Sequence, residues 1–163
     1  MARLVVLEFY EGPYTFSAGH FTIFSKTTRE RLHGHNYSLA ATVTAAIQEP
    51  GITFNYTIFK DRLKSLCNAL HCHFLLPKNS PYLSIDEDAD YYHVTFNHEK
   101  IPFLKNDVIM LPVENTTLED LSRWFLNEIV SDEKFIADHV ISSVTIKVFN
   151  GPEQSASMTW DAD

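Results

Sequence analysis

Apolar and polar positions along this chain change period several times, and each change marks an element. Up to residue 47 the pattern reads strand, turn and strand. Tyr14-Thr-Phe-Ser-Ala-Gly-His20 is one strand-like run, and Asn36 to Ile47, rich in β-branched and aromatic residues, is another. Glu49-Pro50-Gly51 breaks the pattern. From Tyr56 to about Leu70 the apolar residues Phe59, Leu63, Leu66 and Leu70 recur at helical spacing, with Lys60, Asp61 and Lys64 on another face, so a helix is expected there. Pro77 to Asp90 is turn-rich and acidic. Tyr91 to Phe96 and Ile101 to Leu104, around Asn97-His98-Glu99-Lys100, predict a hairpin or an extended insert. Thr116 with Glu119, and Thr117 with Asp120, offer capping-box chemistry ahead of the periodic Leu118, Leu121, Phe125 and Ile129, which predicts a second helix over about 117 to 130. Val140 to Phe149, a Gly151-Pro152 turn and Ser155 to Trp160 read as a closing hairpin.

Length and composition fit this succession to one domain, residues 1–163. The 45% apolar and 13% aromatic content fills a sizeable core. A net charge of -8 argues against a general nucleic-acid or anionic-membrane binder, although it leaves room for a local pocket of opposite sign. There is no run of 18 apolar residues and no signal-peptide pattern, so a cytoplasmic location is the default expectation. Cys67 and Cys72 lie five apart in or near the first helix, a poor disulfide spacing that fits reduced thiols.

The most specific chemistry sits at the start of the second strand. His33 and His35 flank Gly34, and on a strand residues two apart point to one face, so both imidazoles converge. His20 ends the preceding strand, and a hairpin-like connection from Phe21 to Leu32 brings it alongside. Three neutral imidazoles with no fourth protein ligand match the open coordination of catalytic zinc. An HxH pair alone is more often a solvated strand face; the third histidine is what raises the metal reading.

The stretches Phe16-Ser17-Ala18-Gly19-His20 and Leu32-His33-Gly34-His35-Asn36-Tyr37 resemble the two zinc-ligand motifs of the 6-pyruvoyl-tetrahydropterin synthase family, which includes the 6-carboxytetrahydropterin synthases. The resemblance implies an α+β tunnelling fold, with an antiparallel four-stranded sheet and two helices on one face, assembling into barrels with sites between subunits. It further implies Zn2+ on His20, His33 and His35, a small-molecule pterin substrate, and a homo-oligomer, a hexamer by family habit.

Beyond the metal the chain departs from the family. Relatives carry a proton-transferring cysteine four residues before the first HxH histidine; here that position is Arg29, a guanidinium that stays protonated. The next residue, Glu30, resembles the glutamate of a branch that cleaves 7,8-dihydroneopterin triphosphate to 6-hydroxymethyl-7,8-dihydropterin. Glu30 is then the base, its pKa expected to be raised in a partly dry cleft; without the resemblance it reads as a solvated loop residue. Where relatives carry an Asp-His relay after the first helix, this chain has His71 and Cys72, which serve either as an altered relay contributed to a neighbouring subunit or, with His73, as a cap on the helix C-terminus. The glutamate that anchors the pterin ring is replaced by Asn150, which weakens a bidentate contact or suits another heterocycle. Glu114, beside Asn115, resembles a further pocket residue, or is a turn residue before the helix. The leading expectation is therefore a zinc-dependent pterin side-chain lyase with aldolase-like cleavage. The alternatives are a 6-pyruvoyl or 6-carboxy synthase and a catalytically degenerate zinc- or pterin-binding protein.

Overall fold

In the computed structural model, which describes residues 3–162, the chain runs β1 (Leu4–Phe9), β2 (Thr15–His20), β3 (His33–Ala46), α1 (Tyr56–Leu70), β4 (His73–Pro77), β5 (Ser84–Glu87), β6 (Tyr91–Phe96), β7 (Glu99–Leu104), β8 (Val108–Leu111), α2 (Leu118–Val130), α3 (Glu133–Asp138), β9 (Ile141–Phe149) and β10 (Ser155–Asp161). The expected four-stranded antiparallel sheet is larger and mixed. Seven strands follow the order β10-β9-β3-β2-β4-β8, with β1 also paired to β3. The long β3 explains this: its first half pairs β2 and its second half pairs β1, while β9 runs along the opposite edge. β4 joins β2, and β8 joins β4, in parallel.

Alternation decides which face is covered. Tyr37, Leu39, Ala41, Val43 and Ala45 of β3 are all buried, as are Phe16 of β2 and Val144, Ile146 and Val148 of β9. Against this face pack Phe59, Leu63, Cys67 and Leu70 of α1 and Leu121, Phe125, Leu126 and Ile129 of α2, forming one cluster. Deleting a side chain such as Leu63 from it costs about 2–5 kcal/mol. Asn55 caps α1 by accepting from the Thr57 amide at 3.0 Å, and Thr117 caps α2 by accepting from the Asp120 amide.

A third helix, α3, was not expected. Its N-cap Asp132 accepts from the Phe135 amide at 2.9 Å, and Phe135 is buried on the main core. Val140 precedes β9 instead of opening it, because its φ of 49° lies in the left-handed region, outside extended backbone. The insert is a separate antiparallel sheet, β5-β6-β7, whose β6–β7 turn places both Asn97 and His98 at positive φ, as a two-residue hairpin requires. It closes over a second core of Phe21, Ile23, Leu76, Val94, Phe96 and Val108. Among the described residues no helix is long and apolar enough to cross a membrane. Cys67 is buried and Cys72 exposed, and both are unpaired.

Candidate metal centre and its cleft

The register of β2 on β3 sets His20 directly opposite His33, and Ala18 opposite His35. All three imidazoles therefore stand on the helix-facing side of the sheet, continuing the row that begins with Phe16 and Tyr37. Gly34 is needed between the two histidines because a Cβ there would stand 3.0 Å from the Ala18 carbonyl oxygen. Ligand-capable atoms of His20, His33 and His35 all lie within 4.8 Å of one another.

The rings of His20 and His33 are held through Nδ1, which turns Nε2 toward the shared point. His20 donates Nδ1–H to the Thr116 carbonyl at 2.8 Å, and His33 donates Nδ1–H to the Arg31 carbonyl at 2.8 Å. The second ring nitrogen of His20 is buried with no partner. His33 Nε2 and His35 Nε2 are 3.0 Å apart. Ligand nitrogens of a tetrahedral zinc ion stand about 3.3 Å apart, and metal-ligating histidines characteristically donate their other N–H to a carbonyl. The residues present therefore fit a zinc ion. Burial pushes the His20 pKa down to about 4, helped by the neighbouring His33 and His35 and opposed by the Thr116 bond. His35 is lowered too, by burial and then by His33. Both are neutral near pH 7, the form a metal ligand needs.

Glu30 reaches the same point from the loop between β2 and β3. Its Oε2 lies 3.8 Å from His33 Nε2 and accepts from the Thr22 amide at 3.0 Å. The expected rise in its pKa is corrected by the structure. Burial does push the carboxyl up, but the Thr22 hydrogen bonds and the imidazoles of His33 and His20 outweigh it, so the net pKa is lowered. Glu30 is thus ionised at neutral pH.

These groups open onto a cleft of about 560 Å³, whose far wall includes Asn115, Glu119 and Asn150. Tyr37 lines it from below: its ring stacks on Phe16 with centroids 4.8 Å apart, and its hydroxyl is buried without a partner. Burial, then Glu30, raises its pKa, so the hydroxyl remains a donor.

Several residues chosen from the sequence lie elsewhere in the chain. Glu114 borders a different depression, with Arg123 and Trp124. His71 is the C-cap of α1, its amide donating to the Asn68 carbonyl at 3.3 Å, and its Nδ1 accepts from the Ser17 amide at 3.1 Å, so it also ties the end of the helix to β2. Cys72 lines a cavity on the opposite face of the sheet, with Ser17, Gly19 and Asn36.

Three further residues line the cleft without a site role assigned from the sequence. Tyr37 was legible, since it continues the HxH alternation. Glu119 was hidden by the choice between two overlapping capping boxes: Thr116 Oγ1 bonds the Phe21 carbonyl, which leaves Glu119 free to face the cleft. Asn115 holds the Glu30 loop from across the cleft, donating to the Ile23 carbonyl at 2.7 Å and accepting from the Ile23 amide at 3.1 Å. Nothing local in the sequence signals that contact.

The family model for 6-pyruvoyl tetrahydropterin synthase matches residues 12–160. The chain belongs to this family. It is 26% identical over 144 residues, 86% of each chain, to a Methanocaldococcus jannaschii protein that carries a provisional name, 6-carboxy-5,6,7,8-tetrahydropterin synthase. Among solved structures it is similar to the 6-pyruvoyl tetrahydropterin synthase of Plasmodium vivax, with 27% identity, a TM-score of 0.92, and coverage of 98% of this chain and 99% of that one. Two variants of that enzyme, in which a catalytic glutamate is replaced by cysteine or alanine, superimpose equally well. The Plasmodium falciparum family member matches with 26% identity and a TM-score of 0.89, covering 99% of both chains. This chain is therefore an α+β pterin-synthase-family protein, with a histidine group suited to a metal.

Proposed function

We propose that this family member is a zinc-dependent pterin side-chain lyase that cleaves 7,8-dihydroneopterin triphosphate to 6-hydroxymethyl-7,8-dihydropterin. The observation that carries the reading is the ionised Glu30 carboxylate, 3.8 Å from His33 Nε2 and facing the cleft, with the inert Arg29 where relatives have a cysteine. It is supported by the glutamate that is catalytic in the Plasmodium vivax enzyme.

His20, His33 and His35 would hold the zinc ion through Nε2, and the bound ion would supply Lewis acidity to a side-chain hydroxyl. Glu30 takes the proton of that hydroxyl. The adjacent carbon–carbon bond then breaks, the departing fragment keeps a carbonyl, and the pterin-side carbon gains a proton. Tyr37 donates its unpartnered hydroxyl to the substrate from the floor, and Asn150 and Glu119 flank the ring. His71 and Cys72 would join a site only across a subunit boundary, in the homo-oligomeric barrel of the family, hexameric by resemblance. The protein works in the cytoplasm.

A second reading, 6-carboxy-tetrahydropterin synthesis, is favoured by the provisional names of two curated relatives. Anaerobic incubation of the zinc-loaded protein with 7,8-dihydroneopterin triphosphate, with mass identification of the product, separates the two. Release of 6-hydroxymethyl-7,8-dihydropterin is expected; a 6-pyruvoyl or 6-carboxy product would replace the lyase reading with the second. Absence of any product from a folded, zinc-loaded protein would leave it a pterin-binding protein.

A further inference from the structure

Between the cleft and the outer insert lies a side chain that the proposed chemistry does not use. Arg29 pairs with Ile23 in an isolated antiparallel bridge, and its guanidinium turns back beneath the insert. It sits 5.3 Å from the Phe21 ring centre and 5.7 Å from that of Phe96. One arm of the fork donates to the Glu99 carboxylate at 2.8 Å, and the other donates to the backbone carbonyl of Glu30, also at 2.8 Å. The side chain is only 16% exposed.

Phe96 and Glu99 bracket the Asn97-His98 turn of the insert, so a single side chain joins the β6–β7 hairpin to the peptide of Glu30. Glu99 is 62% exposed, and an ion pair so open to water adds little stability. What a planar two-armed fork adds is direction, because it fixes two acceptors relative to each other. The Glu30 amide bonds the Thr22 carbonyl at 2.8 Å and its carboxylate accepts from the Thr22 amide, so the residue is anchored through its amide, its carbonyl and its side chain. Arg29 supplies the hydrogen bond to the carbonyl.

The geometry points to Arg29 as a positioning residue, by which the β5–β7 insert holds the Glu30 carboxylate toward the imidazoles. The hairpin seats the guanidinium between Phe21 and Phe96, the guanidinium fixes the Glu30 peptide plane, and the side chain beyond that peptide inherits its aim. This inference rests on the reading of Glu30 as base and assigns the insert a part in the same machinery.

The test uses the full-length, zinc-loaded chain and three variants, Arg29→Lys, Glu99→Gln and Glu30→Gln, assayed with 7,8-dihydroneopterin triphosphate and by hydrogen exchange at the Thr22 amide. Lysine keeps the charge, but one ammonium cannot address both acceptors in the fork geometry. Arg29→Lys is expected to lower kcat about 10- to 100-fold with KM and zinc content unchanged, because small misplacements of a catalytic group cost that much. It also speeds Thr22 exchange, since the bond to Glu30 Oε2 loosens. Glu99→Gln lowers kcat a few-fold, and combining it with Arg29→Lys adds nothing further, as members of one network are not additive. Wild-type kcat and wild-type Thr22 exchange in Arg29→Lys would overturn the inference. If Glu30→Gln turns over normally, the base assignment fails, and Thr22 exchange alone then decides whether Arg29 positions Glu30. An inactive Glu30→Gln beside an Arg29→Lys with wild-type kcat and Thr22 exchange would remove only the role of Arg29.

Discussion

The two sides of the cleft are built by different means. The imidazoles stand on β2 and β3, where the antiparallel ladder sets His20 against His33 and fixes both Cα positions. Glu30 stands on a loop, held by Arg29, by its bonds to Thr22 and, through Ile23, by Asn115. Backbone register therefore encodes the metal centre, whereas individual side-chain hydrogen bonds encode the place of the base. A ladder tolerates the loss of one side chain; a loop tied at a few points does not.

The sharpest way to break this contrast acts on the ladder side. His33→Ala is expected to reduce bound zinc, measured by elemental analysis, from one per chain to near none, while the circular dichroism of the sheet is retained. One zinc per chain in that variant would mean that the ligands are elsewhere. Acid tests the same side next. The folded pKa of His20 is about 4 against an ordinary value of 6.5. Above pH 7 the ring is neutral in both states and contributes no pH dependence. Below 6.5 the unfolded chain gains a proton that the folded chain refuses, so stability of the metal-free protein falls as pH drops toward 4, by about 3 kcal/mol. Chemical denaturation at stepped pH reads this directly, and a flat profile between pH 7 and 4.5 would contradict it. The smallest effect falls on the loop side. Asn115→Ala removes both bonds to Ile23 and is expected to cost about 2 kcal/mol. Hydrogen exchange should rise across residues 22–30 and stay unchanged across 33–38. An equal rise in both segments would show that ladder and loop are one unit.

Most of the regular fold was legible because its signals are local. The α1 boundaries follow from the apolar spacing of Phe59, Leu63 and Leu70, and α2 begins where its capping chemistry indicates. The His33, Gly34, His35 alternation gave the metal group, since a strand turns spacing two into a shared face. What escaped was non-local. β4 and β8 are short parallel strands without alternation, and nothing in His73–Pro77 or Val108–Leu111 announces a partner distant in sequence. α3, at six residues, is too short for periodicity to emerge. Glu114 was chosen by resemblance and Glu119 was read only as the capping partner of Thr116, whereas in the structure Glu119 lines the cleft and Glu114 borders another depression. The direction of the Glu30 pKa was misjudged because the Thr22 amide that stabilises its charge cannot be inferred from neighbouring residues.

The facing of His20 on His33 makes metal loading a record of how the chain folded. A slip of β2 along β3 by one residue would send His20 to the opposite side of the sheet, beside Gly34 and Asn36, with its lone pair aimed away from the other two rings. A mispaired chain, however compact, could assemble two of the three nitrogens at most. Retention on a chelating column after refolding therefore sorts correctly threaded molecules from their near-native errors, and the ion acts as a proofreader of the sheet as well as a reagent.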